Sequence, residues 1–236
     1  MNNQRHTTEP IQQHLVGMRL HIQTTPSREL IPFNYQPILT GALHKWLGKN
    51  EIHDKISLYS FSWLRGGERQ AKGLIFPDGA SWFISMHDPQ LLKRLITRIQ
   101  TEPRVTNDLQ VIHLTIQENP HFNDEAVSFQ CASPILVKRN IEGRDRHFTF
   151  DQPECDQFLT ETLRKKLKIA GLDDRDISVE FDRTYSKAKT KVIYYNNVGN
   201  RVNLCPIKIK GTPTQLSFAW DVGIGNSTGV GFGALN

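Results

Sequence analysis

The chain is 236 residues long, with 29 Lys and Arg against 24 Asp and Glu, a formal charge of +5. That length can bury a real core in one large domain or two small ones, and so modest a basic excess permits a nucleic-acid partner without demanding one. With no long apolar run, no hydrophobic signal core and only Cys131, Cys155 and Cys205 widely spaced, the composition speaks against a membrane-spanning or disulfide-stapled protein, and a soluble cytoplasmic one is expected.

Residues 1–17 are polar and aperiodic and read as a flexible extension. From Met18 to Thr24 the sequence alternates, Met18, Leu20 and Ile22 on one face and Arg19, His21 and Gln23 on the other, as a half-buried strand does. Pro26 and Pro32 bracket a loop. Ile38, Leu39, Ala42, Leu43, Trp46 and Leu47 then recur at helical spacing, and Gly48 stops that helix. Residues 57–63 are rich in β-formers, Gly66-Gly67 marks a turn, and residues 73–76 and 81–86 read as strands. Asp88 caps a second helix, with Pro89 at its first position and Leu91, Leu92, Leu95, Ile96 and Ile99 as its buried stripe. Residues 109–117 alternate again. Strand, helix, strand, strand, helix, strand is the order of a split βαβ, or ferredoxin-like, unit.

The second half repeats this with variations. Residues 127–139 read as a strand interrupted near Ser133-Pro134. Asp151 is expected to cap a helix running to about Ile169, with Phe158, Leu159, Leu163 and Leu167 buried and Gly171 ending it. Residues 177–181 form a strand, and 187–210 hold one or two more. Thr212-Pro213-Thr214-Gln215 starts a helix with a Thr N-cap, Pro at N1 and Gln completing a capping box. A short closing strand is expected at 232–235. The fold class is therefore α+β: tandem ferredoxin-like (RRM-like) units, residues 18–122 and 123–236, ending in a glycine-rich loop.

That final stretch, residues 221–236, reads D-V-G-I-G-N-S-T-G-V-G-F-G-A-L-N. Glycine loses more backbone entropy on folding than any other residue, so this density needs a reason. The two common ones are φ > 0 conformations and a partner's backbone approaching where a Cβ would clash. N–H groups in such a loop suit phosphate oxygens. A flexible tail is the bland alternative, against which stand the apolar Ile224, Val230, Phe232 and Leu235. A dinucleotide fingerprint or P-loop does not fit, because the chain stops soon after Gly233 and no Lys follows the glycines.

Gly223-Ile224-Gly225, then Gly229, then Gly231-Phe232-Gly233, behind a short helix, resemble the signature of the CRISPR-associated endoribonucleases that process precursor CRISPR RNA, the Cas-six family. The resemblance implies the same tandem architecture. It also implies a catalytic histidine just after the first helix, in a stretch like L-H-D before an aromatic-rich strand. Here that stretch is Ile52-His53-Asp54, ahead of Leu58, Tyr59 and Phe61. His44 occupies a place on the helix where some members carry a second His or a Tyr. Taken without the resemblance, each histidine reads more readily as structural. Where many members carry a Lys or Arg in the loop this chain has Ser227, so the loop would hold RNA through backbone N–H groups with Asn226, Ser227 and Thr228. Gly223, Gly225, Gly229, Gly231 and Gly233 belong to that expected contact.

Two histidines suit RNA cleavage, because RNA carries its own nucleophile in the 2′-OH. A base takes that proton, an acid protonates the departing 5′-oxygen, and imidazole with a pKa near 6.5 does either at neutral pH. The products would be a 2′,3′-cyclic phosphate and a 5′-OH. No His or Cys grouping has metal-ligand spacing, so neither metal nor other cofactor is expected. Lys45, Lys49 and Lys55 are candidates for stabilising the phosphorane. Among the basic residues of the second half, Lys187, Lys189 and Lys191 alternate on one expected strand face. With Arg144 and Arg146 they are the better candidates for phosphate contacts, since the group at 164–168 sits at a helix C-terminus, where positive charge is favoured anyway. The expected function is a metal-independent endoribonuclease acting on CRISPR repeat RNA, as monomer or homodimer, with a CRISPR effector complex as a further candidate partner and no membrane. The alternative is a non-cleaving protein of the same fold that holds CRISPR RNA, and a more distant one is a small-molecule-binding ferredoxin-like domain.

Overall fold

In the computed structural model, residues 17–48, 56–106 and 108–236 are described. His53, Lys49, Lys55 and nearly all of the expected N-terminal extension lie outside them. In chain order the first half contains β1 (Met18–Thr24), β2 (Ser27–Pro32), α1 (Gln36–Leu47), β3 (Tyr59–Phe61), β4 (Glu68–Gln70), β5 (Gly73–Phe76), β6 (Ser81–Met86), α2 (Pro89–Thr101) and β7 (Val111–Glu118). The main sheet runs β3-β6-β1-β7, with every neighbouring pair antiparallel. Two split βαβ units interleaved give this order, with α1 and α2 covering one face. Leu20, Ile22, Ile84 and Met86 face Leu39, Leu43, Trp46, Leu92, Leu95 and Ile99 across that core. Asp88 caps α2 as expected, its Oδ1 accepting from Gln90 N at 2.8 Å.

The stretch expected to be a loop between Pro26 and Pro32 is instead β2, paired with β5, which pairs in turn with β4. Its register shifts between Ser27 and Ile31, so the period-2 pattern that marks a strand is broken there.

The second half contains β8 (Ala126–Phe129), β9 (Lys138–Ile141), β10 (Arg144–His147), α3 (Glu154–Ile169), β11 (Ser178–Phe181), β12 (Lys189–Tyr195), β13 (Val198–Leu204), β14 (Ile207–Lys210) and α4 (Pro213–Val222). The expected long strand at 127–139 is thus two separate pieces, and β9 turns back on β10 as a hairpin. The core sheet runs β11-β14-β8. The last residues lie beside the continuation of β8, with Asn236 N donating to Gln130 O and Ala132 N to Ala234 O, both at 2.8 Å. They take the place of the fourth strand, but as an isolated bridge between Cys131 and Leu235 and not as the strand expected from residue 232. Positive φ at Gly231 (91°) and Gly233 (67°) bends the backbone out of extended conformation just before it.

α3 begins at Glu154 behind Pro153, without a side-chain cap. Asp151 instead sits in the preceding turn, which Gln152 closes by accepting from Thr149 N at 2.8 Å. At α4 the expected capping box is present, Thr212 and Gln215 each bonding the other's backbone N–H. Among the described residues no helix is long and apolar enough to cross a membrane.

Arg19 joins the two halves. Its guanidinium lies between the rings of Phe83 at 3.7 Å and Trp220 at 3.6 Å, and donates to Ser85 Oγ at 2.7 Å and Leu235 O at 2.8 Å. A planar, weakly hydrated cation is suited to such a slot, where a lysine would neither stack nor fork. Burial lowers its pKa to about 9 against the raising effect of Asp221.

Candidate functional site

The glycine-rich segment is not a surface loop. Between Asp221 and Leu235 only Ser227 is exposed. The segment leaves α4, makes a single 3-10 turn at Thr228–Val230, and is laid against β3, α1 and residues 134–136. Gly229 shows why glycine is needed: a Cβ there would collide with Ser57 Oγ and stand 2.9 Å from Tyr59 Oη. Gly233, at φ 67°, would drive a Cβ into Ile224 O. Gly223, Gly225 and Gly231 are likewise buried against this chain's own atoms. The close approach anticipated from the glycine density is therefore internal.

The loop's polar groups are largely committed as well. Ile224 N donates to Gly233 O at 2.8 Å, Asn226 N to Leu136 O at 2.8 Å and Gly233 N to Pro134 O at 2.8 Å. Trp63 Nε1 donates to Gly231 O at 3.0 Å, and Asn226 Oδ1 accepts from Lys138 N at 2.9 Å. The face open to a ligand is the tip at Asn226 and Ser227, where Ser227 holds φ at 60°, while Thr228, expected to contact RNA, is buried. Lys166 fastens this tip from inside. The residue is 3% exposed, its Nζ donates to Val222 O, Gly223 O and Thr228 Oγ1 at 3.0, 3.2 and 3.0 Å, and burial lowers its pKa to about 7. Sequence reasoning grouped Lys166 with solvated neighbours. It sits three residues after Leu163 and seven after Leu159, on the apolar stripe of α3, and that spacing was the available signal.

His44 projects half-buried from the last turn of α1 toward the same loop. Its Nε2 is 3.5 Å from Tyr59 Oη, and the phenol is also 3.5 Å from Gly229 O. Tyr59 is 3% exposed. Burial raises its pKa, a bond from Ser57 lowers it, and Tyr195 raises it further. One histidine, one phenol and the loop backbone thus meet where α1, β3 and the 3-10 turn converge. Lys45, beside His44, turns away to Arg104 O at 2.6 Å and Glu102 at 3.2 Å. Other histidines are engaged elsewhere: His21 with Gln117 at 2.7 Å, His113 with Thr115 at 3.2 Å, and His87 against the Phe218 ring at 4.8 Å. Among the described residues no three His, Cys, Asp or Glu side chains converge as a metal site requires.

The basic residues expected to contact RNA fall on two neighbouring hairpins. Arg144 and Arg146 are exposed on β10, which packs beside β13, and Lys189 and Lys191 are exposed on β12. Lys187 is exposed too, but lies in the turn before β12 and not on its face. A cleft of about 250 Å³ brings Lys189 together with Arg201, Thr190, Thr149, Phe150 and Asp151. Arg201 had not been singled out from the sequence. It pairs with Val192 across the β12–β13 hairpin, a register that only the turn at Asn196-Asn197 determines.

No curated protein matches the chain by sequence. Among the solved structures similar to it are the following three. The product of a Cas6-related gene from Pyrococcus furiosus has a TM-score of 0.78 at 22% identity, covering 93% of this chain and 98% of that one. A structure described as a RAMP protein binding different RNA substrates has a TM-score of 0.79 at 19% identity over the same shares. A Cas6 product complex has a TM-score of 0.64 at 11% identity, again over 93% and 98%. At these identities the likeness is one of fold. Residues 117–236 match the family described as CRISPR associated protein Cas6, C-terminal. That match spans more than half of the sequence, and the chain belongs to the Cas6 family.

Proposed function

We propose that this protein cleaves CRISPR repeat RNA within precursor transcripts, using the RNA's own 2′-OH as nucleophile and no metal ion. His44 and His53 form the proton-transfer pair: one takes the 2′-OH proton, the other protonates the 5′-oxygen as the P–O bond breaks. The products are a 2′,3′-cyclic phosphate and a 5′-OH. The observation that carries this reading is the meeting of His44, Tyr59 and Gly229 at the seam between the two halves, beside the one exposed tip of the loop. Family membership supports an RNA substrate, as do similar proteins described as binding RNA or as a product complex. The tip at Asn226 and Ser227 contacts the phosphate near the cut. Arg144, Arg146, Lys187, Lys189 and Lys191 hold RNA further along, on a C-terminal unit (123–236) distinct from the unit carrying the histidines (18–122).

The test is cleavage of repeat RNA in chelator, with and without a single 2′-deoxy substitution at the cut site. Cleavage of the all-ribose RNA, none of the deoxy RNA, and comparable binding of both are expected. Efficient cutting of the deoxy RNA would sink the mechanism. Binding without cutting of either would leave a protein that only holds its RNA.

A further inference from the structure

The exposed side of α2 is a basic stripe that the C-terminal contacts above do not use. Leu92, Leu95 and Ile99 are buried against the first core, and Gln90, Lys93, Arg94, Thr97 and Arg98 face outward. These five residues and Trp46, Leu47 and Gly48 at the end of α1 line a cleft of about 450 Å³. The cleft adjoins the candidate site. Gly48 N donates to His44 O at 3.0 Å, so its floor lies one helical turn, about 6 Å, beyond His44 along α1.

A solvated helix face is the ordinary reading of such a stripe, and for Arg98 alone it would suffice, because the helix C-terminus favours a cation. Lys93 and Arg94 lie mid-helix and gain nothing from the dipole. Arg94 and Arg98, four residues apart, repel each other along the helix. Among the described residues no carboxylate pairs with Lys93, Arg94 or Arg98, and Glu102, one turn further on, is engaged by Lys45 at 3.2 Å. Three cations with no carboxylate partner among the described residues, beside a cleft, form a positive field that an extended polyanion satisfies. The guanidinium forks suit phosphate oxygens, while Gln90 and Thr97 can bond sugar or phosphate.

We propose that α2 and the end of α1 form a second phosphate-binding track, on which the RNA backbone continues past His44 over the N-terminal half. This rests on the RNA-cleaving reading of the site. The track binds backbone and not bases, so its contribution is salt-dependent and tolerant of sequence.

The test uses the full chain and repeat RNA made uncleavable by one 2′-deoxy residue, with dissociation constants measured across a potassium chloride series. Replacing Lys93, Arg94 and Arg98 together by Ala should weaken binding about tenfold or more near 0.15 M salt. It should also make the log–log salt slope shallower by about 2, at roughly 0.7 per contact on a single strand. As a control, Arg164, Lys165 and Lys168 are replaced by Ala, which removes equal charge from α3 and should change the slope little. An unchanged slope in the α2 variant, or an equal change in the control, overturns the track while leaving the proposed function standing. If the wild-type chain itself fails to bind the repeat RNA, the proposed function falls and the track with it.

Discussion

Lys166 and Thr228 meet inside the protein, Nζ to Oγ1 at 3.0 Å, and through this contact α3 holds the tip of the glycine-rich segment. The same nitrogen takes Val222 O and Gly223 O, the last carbonyls of α4, where the helix dipole favours a cation. A neutral amine satisfies the same neighbours, donating to the two carbonyls and accepting from the Thr228 hydroxyl. Deprotonation therefore removes the cost of burying the charge without breaking the contacts.

Stability should consequently depend on pH in a defined direction. In the unfolded chain Lys166 keeps its proton up to the ordinary lysine pKa of 10.5, whereas in the fold it releases it near 7. Between those values the unfolded state holds more protons, so this group's contribution to stability rises with pH across the window and is lowest below it. Asp221, pushed up to about 8 by burial, works in the opposite direction, and the comparison with a variant at each pH cancels it. Urea melts at pH 6.5, 8 and 9 should show wild type gaining stability relative to Lys166→Met as pH rises. A difference between the two that stays constant with pH would show that Lys166 does not titrate in this range.

Tyr59 should tune the reaction without holding the RNA. Its phenol lies between His44 Nε2 and Gly229 O and has one proton to give, so it can order the imidazole relative to the loop. Tyr59→Phe removes one hydrogen-bonding group from a packed site, and a single-turnover rate about 3- to 10-fold lower is expected, with RNA affinity within about twofold. His44→Ala and His53→Ala set the reference: each should cost about 10²-fold or more, and their combined loss should be less than the product. A Tyr59→Phe rate equal to wild type, with His44→Ala slow, would make Tyr59 a packing residue only.

Two glycines should respond oppositely to a single methyl. Gly233→Ala places a Cβ against Ile224 O at positive φ, and a loss of about 2–4 kcal/mol is expected, equivalent to roughly 5–15 °C in Tm for a chain of this size. Gly41 lies within α1 with nothing within 4 Å of its Cβ position. Gly41→Ala should raise stability by about 0.5–1 kcal/mol through lower unfolded-state entropy. Calorimetry of both variants checks the pair, and a Gly233→Ala melting temperature near wild type would contradict the packing described for the loop.

Periodicity made both helix–sheet units legible, because β1, β6, α2 and α4 each carry an unbroken apolar pattern and, at α2 and α4, an explicit cap. β2 was illegible because its pairing slips between Ser27 and Ile31, so alternation does not survive along it. The glycines were visible but their reason was not. Local sequence says that something approaches closely, and only the fold says that the approaching atoms are Ser57, Tyr59 and the loop's own carbonyls. Tyr59 itself is one aromatic among several until β3 turns it toward α1. The basic face of α2 was overlooked because its three cations are spaced as an ordinary solvated helix face would be.

The burial of the glycine-rich segment separates two properties that its sequence seems to join. Gly223, Gly225, Gly229, Gly231 and Gly233 are demanded by how the chain closes on itself, whether or not any RNA is ever cut. A descendant that lost both histidines would still be selected to keep these glycines, for the sake of folding alone. The glycine pattern therefore reports on how the chain folds, and on the proposed mechanism a loss of cleavage would leave it untouched.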